Sequence, residues 1–218
     1  MKTIVCYGDS NTWGLKPYNH LAEAPERFAK PERWPTVLSE HLGAGVDVIA
    51  EGLSGRTTVF DDVIEGVFRN GSRGILCAVE THSPIDLLII MLGTNDFKTQ
   101  FGHTAYVSAR GMLTLIELVQ GHFVHSGGAP EILIVTPAMA SEAAEVEMWG
   151  DVTQRSTNHA AYLSQVAERT GCFHFDANEV AEVGKDGVHL SKESHASLGK
   201  ALAGRAKEIL GMTKRSFK

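Results

Sequence analysis

The sequence has little cysteine: three residues, Cys6, Cys77 and Cys172, in a chain of 218. Their spacing holds no C-x-x-C or other metal pattern. An odd number of thiols suits a reduced, cytoplasmic setting better than a disulfide framework. Basic charge is also scarce. Twenty Lys and Arg stand against 26 Asp and Glu, a formal net charge of −6, which argues against a nucleic-acid partner. No stretch approaches the roughly 18 apolar residues of a membrane span. The first apolar run begins at Thr3, so no export segment is expected ahead of it. There is no G-x-x-x-x-G-K-[ST] phosphate loop and no G-x-G-x-x-G dinucleotide fingerprint. The nucleophile elbow G-x-S-x-G fails at Asn70-Gly71-Ser72-Arg73-Gly74, where Asn replaces the first Gly. His122 and His125 stand at helical spacing without a third ligand, so an exposed helix end is expected there and no metal.

What is present is an ordinary globular composition, 43% hydrophobic and 21% charged. Five short apolar runs read as buried strands: Thr3–Tyr7, Val46–Ala50, Asp86–Leu92, Glu131–Thr136 and Cys172–Phe175. The third and fourth are nearly continuous in apolar residues, as parallel strands covered on both faces should be. Helices are expected over Thr36–Leu42, Ser72–Thr81, about Ala105–Val124, about Val152–Arg169, and from the N-cap Ser191 to about Leu210. Strand and helix alternate, which predicts a single domain over 1–218 with a parallel sheet between helical layers. Leu15–Arg33 breaks the rhythm with Pro17, Pro25 and Pro31. It is too long for an ordinary connection, and with Trp13 and Trp34 at its flanks it suggests a subunit interface. The alternative is a segment folded back over its own domain.

In an open parallel sheet, ligands bind beyond the carboxyl ends of the strands. Four polar, glycine-marked segments fall there: Gly8-Asp9-Ser10, Glu51–Thr57, Gly93-Thr94-Asn95-Asp96 and Asp186-Gly187-Val188-His189. Taken singly, each is more often a turn or a cap. Together, in order, they suggest nucleophilic catalysis. Ser10 needs a base to become a nucleophile. His189 can supply it, with Asp186, three residues back, holding the far ring nitrogen. Backbone N–H of Ser10, the unshielded N–H of Gly52 and the amide of Asn95 would then be donors for an oxyanion.

These four segments resemble the SGNH (GDSL-like) hydrolase superfamily, matching at Ser10, Gly52, Asn95 and His189 with its Asp186. Tyr7–Gly14, Glu51–Thr58 and Ile89–Asp96 are most similar to bacterial arylesterases and acyltransferases. The resemblance implies a flavodoxin-like three-layer α/β/α fold with a five-stranded parallel sheet. It also implies small short-chain esters as substrates, no metal or cofactor, a homo-oligomer, and in some members acyl transfer to alcohols. Asn11 departs from the family's usual Leu after the serine, and with Trp13 it is expected to border the substrate pocket. Two other readings stand beside this one. One is an esterase of sugar O-acetyl groups. The other is a non-catalytic, flavodoxin-like mononucleotide-binding module.

Overall fold

The computed structural model describes residues 1–20, 23–124, 128–144 and 146–212. The apolar runs form strands β1 (Lys2–Gly8), β2 (Val46–Gly52), β3 (Leu87–Met91), β4 (Glu131–Thr136) and β5 (Phe173–Asp176). They pair in parallel throughout, in the order β2-β1-β3-β4-β5. Helices α1 (Ser10–Trp13), α2 (Trp34–Leu42), α3 (Gly71–Thr81), α4 (Ala105–Phe123), α5 (Val146–Trp149), α6 (Val152–Arg155), α7 (His159–Thr170) and α8 (Lys192–Ile209) lie between and after them. The order predicts where the site must be. The chain runs from β1 outward to β2 and then crosses back to β3, so a crevice opens where β1 and β3 end side by side.

Side-chain alternation divides β1, β3 and β4 between two cores. Ile4, Cys6, Leu87, Ile89, Leu133 and Val135 pack with α2 and α8. Val5, Tyr7, Leu88, Ile90, Ile132 and Ile134 pack with α3, α4 and α7 on the other face. Both faces of β3 and of the middle of β4 are thus covered, which is why Leu87–Met91 and Ile132–Val135 are unbroken apolar runs. The result is the three-layer α/β/α arrangement.

Three expectations are corrected. The helix expected over Val152–Arg169 is two, because Asn158 turns left-handed at φ 66° between α6 and α7. Asparagine tolerates that conformation, and its polar side chain gives no hint of it in sequence. α2 begins at Trp34 rather than Thr36, with Pro35 in its first turn, where a missing N–H costs nothing. Trp34 is fully buried against α8, so it is core and not interface. In the described part of the proline-bearing segment Leu15 bridges Arg27, Phe28 N–H donates to Gly14 O at 2.8 Å, and the Phe28 ring meets that of His195 on α8 edge-on at 5.1 Å, so this part packs on the chain's own fold. His122 Nε2 lies 3.1 Å from Glu80 Oε1, while His125 falls outside the described residues. Among the described residues no helix is long and apolar enough to cross a membrane.

α8 reaches α2 only because Gly199 has no side chain: a Cβ there would stand 2.6 Å from Val37 Cβ and 2.7 Å from Trp34 O. Gly199→Val should therefore destabilise the fold by about 1–3 kcal/mol. In a chain this long that lowers Tm by about 2–4 °C per kcal/mol. Thermal melts of the two proteins check it, with turnover per folded molecule expected unchanged.

Candidate active site

Ser10 follows β1 directly and opens α1, with Asp9 as N-cap accepting the Asn11 N–H at 2.9 Å. Gly8 permits the sharp exit. A Cβ there would lie 2.0 Å from Thr12 Oγ1 and 2.9 Å from Met91 O. At the far end of the chain Asp186, Gly187, Val188 and His189 form a turn. The Asp186 Oδ1 accepts from the N–H of Val188 at 3.0 Å and of His189 at 2.9 Å. Its Oδ2 meets His189 Nδ1 at 2.7 Å and accepts the Tyr18 N–H at 3.2 Å. His189 Nε2 lies 3.0 Å from Ser10 Oγ. The structure thus brings Ser10, His189 and Asp186 into one hydrogen-bonded line, all three buried. Burial pushes the Asp186 carboxyl up, but the bonds and charge from His189 and the Val188 N–H outweigh it and hold the group below its ordinary value. It stays a carboxylate, which fixes the imidazole with Nδ1 protonated and Nε2 free to accept.

Asn95 follows β3 at the same rim. Its Nδ2 donates to Arg56 O at 3.1 Å and to Asp9 Oδ2 at 3.3 Å. At Gly52 the side where a Cβ would stand is filled by α1, with Trp13 N only 2.3 Å away, so this glycine lets helix and strand pack closely. The part of the segment that touches Asn95 is the turn closed by Arg56 N–H donating to Leu53 O at 3.1 Å. Gly55 stands in that turn at φ 78°, and the sequence reading passed it over. Asn11 corrects an expectation. It is 2% exposed, accepts the Leu190 N–H at 2.9 Å and donates Nδ2 to Val188 O at 3.3 Å, so its amide faces the histidine turn. Trp13 has the Arg27 guanidinium 4.4 Å from its ring centroid. A cavity of about 260 Å³ is lined by Thr94, Phe97, Ala138, Ala140, Val152 and His159, with neither Ser10 nor Trp13 among its walls.

Buried charge that sequence reasoning missed holds the rim together. Arg56 Nη1 donates to Gly8 O at 2.7 Å and also to Glu51 O, and the guanidinium lies 4.0 Å over the Tyr7 ring. Asp96 accepts from Thr58 N at 2.9 Å, Thr58 Oγ1 at 2.8 Å and Ser108 Oγ at 2.7 Å. Lys98 Nζ pairs with Glu65 at 2.6 Å and stands 3.6 Å from Asp62. Burial pushes the Asp9 carboxyl up to about 6 and that of Asp96 up to about 7. Among the described residues no group of three or more His, Cys, Asp or Glu is placed to hold a metal ion.

Comparison with known proteins fits this geometry. The family model of the GDSL-like lipases/acylhydrolases matches residues 6–196. The chain belongs to the GDSL-like lipase/acylhydrolase family. It is a carboxylic ester hydrolase of the SGNH type. Among solved structures, it is similar to a carbohydrate acetylesterase from Sinorhizobium meliloti, with 33% identity, TM-score 0.90, and 96% of this chain and 100% of that one covered. The aryl esterase of M. smegmatis, in its inhibitor-bound form, matches with 36% identity, TM-score 0.89 and coverage of 96% and 100%. A putative arylesterase from Agrobacterium tumefaciens matches with 36% identity, TM-score 0.86 and the same coverage. No curated protein is a match.

The raised value at Asp96 makes a stability prediction for this esterase. An unfolded Asp titrates near 4, the folded one at about 7. The folded chain therefore binds that proton more tightly. Its contribution is fully present below pH ~4 and is lost as the pH rises to about 7. Asp96→Asn cannot titrate, so the Tm difference between variant and parent should shift in the variant's favour from pH 5 to pH 8. Melts at both values check this; a constant difference contradicts it.

Proposed function

We propose that this esterase hydrolyses small, short-chain aryl and alkyl esters through an acyl group carried on Ser10. The observation that carries the reading is the line Asp186–His189–Ser10, with contacts of 2.7 and 3.0 Å. As Ser10 Oγ attacks the ester carbonyl, His189 Nε2 takes its proton and later delivers it to the departing alcohol oxygen. A water then attacks the acyl-serine, gives its proton to the same nitrogen, and Ser10 recovers its own as the acid leaves. Asp186 keeps the imidazole oriented and stabilises it while charged.

The oxyanion formed at each attack would be met by the Ser10 N–H, by Asn95 Nδ2, and by a backbone N–H of the 52–56 segment. That third donor would be Gly52, as its sequence position suggests, or Gly55, in the turn whose Arg56 carbonyl Asn95 holds. In the resting site both hydrogens of Asn95 Nδ2 are engaged, by Arg56 O at 3.1 Å and by Asp9 Oδ2 at 3.3 Å. To meet the oxyanion the amide would give up the longer bond, to Asp9, while the one to Arg56 keeps it at the rim. We place the acyl group in the cavity of about 260 Å³ lined by Thr94, which precedes Asn95, and by Phe97, Ala138, Ala140 and Ala160, a size that suits a short chain.

A carbohydrate O-acetyl ester is the second reading, favoured by the Sinorhizobium meliloti relative. Rates on aryl acetates against acetylated oligosaccharides separate the two. We also propose self-association and acyl transfer to alcohols, in the cytoplasm. Val63, Ile64 and Phe68, 82%, 73% and 62% exposed, form an apolar patch that supports a subunit contact.

Three measurements follow. Ser10→Ala and His189→Ala should each lose on the order of 10³-fold or more in kcat on an aryl acetate, and Asp186→Asn should be strongly impaired. Full activity in any of the three removes it from the proposed line. Light scattering should show a species larger than the 23.6 kDa chain, reduced in size by Phe68→Lys; a monomer refutes self-association. Vinyl acetate with a primary alcohol should yield transfer ester as well as acetate.

A further inference from the structure

Asn11 follows Ser10 in sequence, yet its amide reaches across to a turn 179 residues later, accepting the Leu190 N–H at 2.9 Å. The other end of the same amide donates to Val188 O at 3.3 Å. The two bonds bracket His189 on both sides. We propose that Asn11 is the positioning residue for the histidine, clamping the backbone on either side of His189 so that Nε2 stands over the neighbouring Ser10 Oγ. The inference rests on the reading of Ser10 and His189 given above.

The chemistry of the position asks for asparagine. One planar group must accept from a backbone N–H and donate to a backbone carbonyl. Leucine has nearly the same shape and can do neither, and aspartate would turn a second acceptor toward the Val188 oxygen. Val188 and Leu190 are 2% and 1% exposed, so water does not replace a lost partner. Two buried polar groups without partners carry a penalty that the turn can escape only by moving.

The other anchors of this turn do not fix the histidine against the serine. Val188 N–H and His189 N–H bind Asp186, the member of the line farthest from Ser10. Gly184 N–H donates to His189 O at 2.6 Å and Val183 bridges Leu190, tying the turn to residues before it rather than to α1. The Tyr18 N–H again binds Asp186. Asn11 alone among these contacts joins the turn to the helix that carries Ser10. The Asn11 N–H in turn donates to Asp9 Oδ1, which fixes the clamp to the same first turn of α1.

The test uses the full chain with Asn11→Leu, and Ser10→Ala as reference, on an aryl acetate. Active sites are counted by titration with a serine-directed phosphonate. We expect kcat per titrated site to fall ~10–100-fold, the cost of a reacting group displaced by about an ångström. KM should stay within about twofold, and the phosphonylation rate should fall by the same factor as kcat. The His189 Nδ1–H proton resonance should shift or broaden. Wild-type kcat per titrated site overturns the proposal, including the case where only the number of sites falls, since that is a folding defect. If the variant does not fold, hydrogen exchange at the Leu190 amide of the unsubstituted chain decides: protection is expected, and exchange at the rate of an open loop overturns the clamp. An active Ser10→Ala would sink the underlying reading instead, so the two failures are told apart.

Discussion

The contact between His189 and Ser10 joins the first and last connections of the chain, and everything at the rim is arranged around closing that distance. Ser10 is delivered by β1, the second strand in the sheet order, at the switch point where ligands collect. His189 arrives from the segment after β5, at the opposite edge. A span of that kind cannot be left to loop stiffness. It is closed by hydrogen bonds from several directions: Asn11 to Val188 and Leu190, Tyr18 to Asp186, and Ser141 N–H to Gly187 O at 2.9 Å. Gly187, at φ 73°, lets the turn lie against Ala144, whose N would be 2.2 Å from any Cβ there. The proline-bearing segment belongs to this closure as well, since Tyr18 lies in it and its ring sits 5.4 Å from that of His189.

A second constraint is electrostatic. The rim holds Asp9, Arg56, Asp96 and Lys98 away from water, where each isolated charge would be expensive. Each is given several partners. Arg56 ties β1 to the segment after β2, Asp96 ties that segment to α4, and Lys98 draws Glu65 and Asp62 inward. Asn95 stands in the middle of this network, between Asp9 and Arg56. Both hydrogens of its amide nitrogen are held there, which fixes the side chain at the rim. The buried carboxylates are thus tolerated where each also holds a neighbouring side chain or backbone group in place.

Much of this could be read from residue order. β3 and β4 were legible because a strand covered on both faces must be apolar throughout. Ser10, Asn95, Asp186 and His189 were legible because polar, glycine-marked segments recurred at successive strand ends. What escaped depends on neighbours distant in sequence. Trp34 beside a proline-rich stretch could be core or interface, and only α8, distant in sequence, makes it core. Gly52 packs directly against the backbone of Trp13, a closeness that nothing in its own segment announces. Asn158 breaks a helix through a backbone angle that no periodicity announces. Asn11 looked like a pocket residue because it follows the serine, whereas its partners lie at the other end of the chain. Arg56, Asp96 and Lys98 passed unnoticed because a buried charge and a solvated one are written with the same letter.

The central claim is that the ester's acyl group rests on Ser10. It is tested most directly by quenching the reaction with an aryl acetate in acid during turnover and mapping the protein by peptide mass spectrometry. The account predicts one acetyl group, on the peptide carrying Ser10 and on that hydroxyl, appearing with turnover and absent from the Ser10→Ala protein. An acetyl group on another residue, Ser54 for instance, that forms and decays at the rate of turnover would contradict it.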